Sequence, residues 1–180
     1  VISVTLAALV AAMPAAAVVL VDGGQARATI VVPAGATETV GFAADELSGY
    51  LEQISGARLP VVAEGETVTG VPVHLGATSM GQEQAPTDPD GIRIIAGDDR
   101  VVICGGSDRA TVFAAYRFLE RLGCRWLAFD EEYVPEMETV DVPAMDFETA
   151  PAFNMRTFVA ATADRRVWGL KMGMNGFYSS

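Results

Sequence analysis

The stretch Val101–Phe129, VVICGGSDRATVFAAYRFLERLGCRWLAF, constrains this chain more than any other. Val101 to Cys104 is a short unbroken apolar run, the signature of a strand with both faces covered. Gly105-Gly106 closes it. Ser107 or Asp108 then offers a side-chain oxygen to an unpaired N–H in the first turn of a helix. Val112, Phe113, Tyr116 and Leu119 recur at three- and four-residue spacing and mark one face, with Arg109, Arg117, Glu120 and Arg121 on the wetter side. Gly123 stops the helix, because glycine takes the left-handed conformation without steric cost. Cys124 to Phe129 returns to an extended pattern. The rest of the chain is expected to pack on this unit or lead out of it.

Taken in order, Val18–Asp22 and Ala28–Val32 read as strands separated by Gly23-Gly24, either a hairpin or one irregular strand. Thr37 or Thr39 leads into a helix with an apolar stripe of Phe42, Ala43, Leu47, Tyr50, Leu51 and Ile54, stopped by Gly56. Leu59–Ala63 and Val71–Leu75 are short apolar strands, and the polar, proline-bearing stretch 76–90 is expected to be an exposed loop. Gly91–Ala96, the turn Gly97-Asp98-Asp99 and Arg100–Cys104 spell a hairpin. After the opening unit come a loop at 131–136, a short edge strand at 138–142 and a connector at 144–151. The expected class is α+β or α/β: strands in one mixed sheet, with two amphipathic helices on one face. Beyond Pro151, Phe153–Ala160 reads as a new strand, Asp164–Gly173 as a helix, and Asn175-Gly176-Phe177 as the start of another strand. That is how the first unit of a TIM-like barrel begins, here truncated.

Composition narrows the partners. The formal charge of −11 argues against nucleic acid and anionic membrane surfaces, which need clustered cations. The first residues, VISVTLAALVAAMPAAA, carry no charge, and an apolar core followed by small residues resembles a signal peptide too short to span a bilayer. Residues 1–17 are therefore expected to be a signal peptide clipped at its front, on a secreted, periplasmic or cell-surface protein. Cys104 and Cys124 flank the helix. Export permits a disulfide between them, and buried core thiols suit both residues equally. The one histidine and the lack of a C-x-x-C leave no metal motif, and no cofactor motif is present.

Few residues offer chemistry. The turn Cys104–Ser107 precedes a helix N-terminus but lacks both the G-x-G-x-x-G fingerprint and a P-loop lysine, so it reads as a tight turn. Asp130, Glu131 and Glu132 supply carboxylates without the burial that tunes an acid. His74 has no nucleophile signature nearby. Trp126 lies in an apolar strand and is expected in the core rather than under a sugar ring; Trp168 is the other stacking candidate. Arg156, beside Met155 and Phe158 on the strand after Pro151, would reach an active site if it pointed inward near a barrel strand end.

The series AADELSGYLEQISGARLPVV, DGIRIIAGDDRVVICGGSDRATVFAAYRFLERLGCRWLAF and PAFNMRTF resembles the N-terminal domain of alpha-glucuronidase-like glycoside hydrolases. The second domain of beta-N-acetylhexosaminidases is a more distant likeness. The resemblance covers about Val18 to Phe158. It implies a non-catalytic accessory domain over 18–150, followed at 151–180 by a fragment of the catalytic barrel that would be its partner. It also implies a carbohydrate substrate for the parent enzyme, with Arg156 as a contact to sugar hydroxyls. It places no catalytic residue in this chain. The competing expectation is a carbohydrate-binding or surface interaction module without hydrolase activity, which would expose a planar row of aromatics.

Overall fold

A computed structural model of the chain describes residues 17–97, 99–159 and 162–178. The signal peptide expected at 1–17, save Ala17, and Asp98 of the hairpin turn lie outside the described residues. The first half contains β1 (Val18–Asp22), β2 (Gln25–Ala26), β3 (Ala28–Val32), α1 (Glu38–Ser55), β4 (Val61–Ala63), β5 (Val71–Leu75) and α2 (Ser79–Gln84). The second contains β6 (Ile92–Gly97), β7 (Arg100–Gly105), α3 (Asp108–Arg121), β8 (Arg125–Ala128), β9 (Glu131–Tyr133), β10 (Val140–Val142) and β11 (Met145–Thr149). The chain then runs through β12 (Thr157–Val159), α4 (Ala163–Lys171) and β13 (Gly176–Tyr178).

The central sheet has the order β11-β6-β7-β5-β3-β4. β3, β4, β5 and β7 run parallel, and β6 runs antiparallel to both its neighbours, β7 and β11, so the sheet is mixed as expected. Alternation along the strands sends Ile30, Val32, Val73, Leu75, Ile94 and Ile103 into one core cluster with α1 and α3. Helix α1 starts where the Thr37 side chain accepts from Val40 N–H, and it ends at left-handed Gly56, whose N–H returns to Glu52. Its stripe Val40, Ala43, Leu47, Leu51 and Ile54 is buried. Helix α3 is buried on more than one side, from Ala110 through Leu119. Each fully buried Leu, Ile or Phe here contributes roughly 1.5–3 kcal/mol.

Four expectations are corrected. The strands divide among four sheets rather than one: besides the central sheet there are β10-β1-β2, β8-β9 and β12-β13. The stretch 131–136 contains β9, which pairs with β8, and the connector 144–151 contains β11, which pairs with β6 along its whole length. The register of β11 is fixed across the sheet by Arg93, whose Nε and Nη2 donate to the two carboxylate oxygens of Asp146 at 3.0 and 2.9 Å. The loop 76–90 also holds the short helix α2, started by the Thr78 side chain accepting from Gly81 N–H. Its polar sequence has no apolar stripe to betray it. Gly23-Gly24 makes a hairpin, with both residues at positive φ and Asp22 opposite Gln25, but it joins β1 to β2 and leaves β3 to the central sheet.

On the sheet face away from the helices, Val31, His74, Val102 and Ile95 lie in one cross-strand row. Nδ1 of His74 is, among the described residues, the only buried side-chain nitrogen or oxygen without a hydrogen-bond partner. Burial, opposed by Glu64 and assisted by Arg100, holds this imidazole below its ordinary pKa of 6.5. The unfolded chain therefore takes up the proton first, and stability is withdrawn as the pH falls below 6.5 until the folded-state pKa is passed. The expected result is an unfolding midpoint that falls over this interval in the parent and stays flat in His74→Leu. Equal slopes in the two proteins would remove His74 as the cause.

Candidate functional site

The most polar buried place in the molecule is built around Asp90, at the end of the loop that precedes β6. Asp88 forms an Asx turn here, its Oδ1 accepting from Asp90 N–H, and Gly91 N–H closes on Asp88 O. The glycine turn after β7 presses against this loop. Gly106 N–H donates to Gly91 O, and the Ser107 hydroxyl donates to Pro89 O while accepting from Ala110 N–H. A Cβ on Gly106 would stand 2.0 Å from Asp88 O, and one on Gly105 would stand 2.4 Å from the Ala110 carbonyl carbon. The pair of glycines thus admits a close backbone approach, and the 86–91 loop occupies the ground over the helix start where a phosphate would have to sit.

The Asp90 carboxylate binds three donors. Oδ1 accepts from Arg109 Nη2 at 2.8 Å, and Oδ2 accepts from Arg156 Nη2 at 3.0 Å and Asn175 Nδ2 at 2.9 Å. Burial alone would raise its pKa, but the hydrogen bonds from Arg109, Asn175 and Arg156 outweigh it and hold the group below its ordinary 3.8. Arg156 has protein acceptors at all three nitrogens: Nε donates to Gly173 O at 2.7 Å, Nη1 to Phe153 O at 2.8 Å and Nη2 to Asp90. Beside them lies an open cavity of about 230 Å³ lined by Asp90, Ile92, Phe113, Arg117, Pro151 and Arg156.

A second polar cluster gathers at Tyr50, on α1. Its hydroxyl donates to Glu132 Oε2 at 2.6 Å and accepts from Lys171 Nζ at 2.6 Å and Trp126 Nε1 at 3.2 Å. Lys171 also donates to Glu132 at 3.0 Å and lies 5.1 Å from the centre of the Tyr50 ring. Burial, then Glu132, push the Tyr50 phenol well above its ordinary range, so it stays a donor. Burial raises Glu132, but the hydrogen bonds from Tyr50 and Lys171 prevail and keep it below its ordinary 4.5. Both carboxylates therefore stabilise the fold at neutral pH, and that contribution is lost only as the pH falls through their depressed values.

The residues singled out in the sequence meet different fates. Arg156 joins Asp90, and Glu132 joins Tyr50 and Lys171; Asp130, Glu131 and Glu132 are all exposed. Trp126 is core, edge-on to Tyr50 and Tyr116, and Trp168 donates to its carbonyl at 3.4 Å. Cys104 in β7 and Cys124 just before β8 are buried and free, and burial pushes both thiols up to about 11. Asp90, Tyr50, Lys171 and Asn175 escaped the sequence reading, because each is polar for the sake of a partner far away in the chain. Asp90 takes donors on both carboxylate oxygens and Glu132 takes two on Oε2, and in each cluster the donors come from different elements, so the arrangement fastens elements together.

The molecule can now be set beside solved structures. A family GH115 4-O-methyl-α-glucuronidase with specificity for decorated arabinogalactans matches 90% of this chain at TM-score 0.65 and 16% identity. The fold is one that glycoside hydrolases carry. A GH20 β-N-acetylhexosaminidase from Streptomyces coelicolor matches 82% of the chain at TM-score 0.53 and 21% identity, and a Flavobacterium johnsoniae chitobiase matches 91% at 0.58 and 12%. The chain spans about a quarter of each of those proteins, 26%, 26% and 25% of their lengths. No protein-family model matches the sequence, and no curated protein does. No helix among the described residues is long and apolar enough to cross a membrane.

Proposed function

We propose that the chain is the non-catalytic N-terminal domain of an exported glycoside hydrolase, bracing a catalytic barrel in carbohydrate degradation. The observation that carries this reading is the unit β12-α4-β13. Its two strands are parallel and joined through a helix, as in a barrel repeat, and α4 is seated on α3 and β8 of the larger α/β body. Residues 18–150 are the accessory domain and 151–180 the opening of the barrel, its intramolecular partner. The leader at 1–17 would direct export to the periplasm, cell surface or medium. The parent would act on a carbohydrate, as the structural neighbours do, with catalytic acids supplied by its barrel.

In this reading Arg156 is a fastener. It stands before the first residue of β12, and in barrels the N-terminal ends of strands serve stability while chemistry gathers at the C-terminal ends. The test is turnover. The isolated chain is expected to leave aryl glucuronides and aryl N-acetylglucosaminides intact, and the parent protein is expected to hydrolyse an aryl glycoside. Turnover by the chain alone would sink the accessory role.

A further inference from the structure

The unit that follows Pro151 is small. It has two three-residue strands and one nine-residue helix, α4, in which only Gly169 is buried. A strand–helix–strand of that size hides too little apolar surface to order itself. Even so, its strands hold a defined parallel register, Thr157 opposite Gly176 and Val159 opposite Tyr178. Beside the packing of Trp168 and Leu170 against the core, two polar contacts from the α/β body hold the unit.

The first is Asp90. Arg156 stands just before β12 and Asn175 just before β13, and one carboxylate oxygen accepts from both. Asn175 then ties the two strand starts to each other: its Oδ1 accepts from Arg156 N–H, its Nδ2 also donates to Asn154 O, and its own N–H donates to Arg156 O. One carboxylate oxygen thus meets a residue at the start of each strand, alongside the bonds that join the two starts directly. The second contact is the Tyr50–Glu132 pair, which takes Lys171 at the end of α4. The side chains of Arg156 and Asp90 are only 17% and 10% exposed, so this pair is poorly screened, whereas Lys171 at 13% meets a Glu132 that is 37% exposed.

We propose that the α/β body is the template on which residues 154–159 and 162–178 take their fold. Asp90 sets the register of β12 against β13, and Tyr50 with Glu132 seats α4. The accessory-domain reading enters only in saying what larger structure the unit opens.

Hydrogen exchange on the full chain tests it. In Asp90→Asn, Arg156 keeps its place but loses its counter-charge; in Lys171→Met, only the far contact is removed. Each is expected to speed exchange of the α4 amides and of Asn175 N–H by more than about tenfold, with α1, α3 and the central strands unchanged. Asp146→Asn, which breaks the Arg93 pair at the sheet edge, is expected to leave the unit as protected as in the parent. Unchanged exchange of the unit in both test variants, or acceleration shared equally by α1, α3 and the sheet, overturns the proposal. A failure here would leave the glycosidase reading standing, and turnover by the chain alone would leave the template standing.

Discussion

Trp126→Ala is expected to lower unfolding stability by about 3–5 kcal/mol, the range for removing a large aromatic from a packed core. Trp126 is 6% exposed and meets Tyr116 edge-on at 5.3 Å and Tyr50 at 5.9 Å between ring centres. The substitution therefore opens a cavity between α1, α3 and the β8–β9 ribbon, and it also strips Tyr50 of one of its donors. Urea unfolding followed by circular dichroism measures the effect as a lower midpoint at unchanged slope. Trp126→Phe, which refills most of the volume but cannot donate, is expected to recover more than half of the loss. A change near zero for the alanine variant would place Trp126 at the surface and restore it as a platform for sugar rings.

Gly106→Ala is the second large effect. The added methyl would lie 2.0 Å from Asp88 O, 2.8 Å from its carbonyl carbon and 3.0 Å from Pro86 O, all of them backbone atoms that cannot swing aside. Overpacking of this kind typically costs about 1–3 kcal/mol, and here the loop that gives way is the one that positions Asp90. Gly49→Ala supplies the contrast. Its Cβ meets nothing within 4 Å in the middle of α1, so it is expected to stabilise the protein by about 0.5–1 kcal/mol. Thermal unfolding of the two variants distinguishes them by sign. If Gly106→Ala unfolds like the parent, the close approach of the turn to the 86–91 loop is not a constraint on the fold.

These two positions also show where the sequence was informative. The rim of the glycine turn, the Ser107 cap and the three- and four-residue spacing of α3 are local, so each leaves a mark within a few letters. The same holds for α1 between Thr37 and Gly56 and for the apolar runs of β3, β5 and β7. β9 and β11 left weaker marks, because Glu131-Glu132 and Asp146, Phe147, Glu148 spell polarity while their place is decided by a neighbouring strand. The Asp90 cluster left none. Arg156 and Asn175 stand 66 and 85 residues away from Asp90, and no period or spacing connects an aspartate in a Pro-Asp-Gly turn to either. The resemblance to glycoside hydrolases anticipated the fold through whole stretches of sequence, and the matched structures carry that fold at low identity.

The pairing of β1 bears on the order in which this protein can be made. Val18, Leu20 and Val21 leave the ribosome well before Val140 and Val142, yet β1 lies between β2 and β10, and its longer partner arrives only with those later residues. The ladder that joins Val18 to Val142 cannot close until Val142 has been synthesised. Until then those side chains lack their final cover, and a nascent or translocating chain must keep an apolar strand from pairing elsewhere.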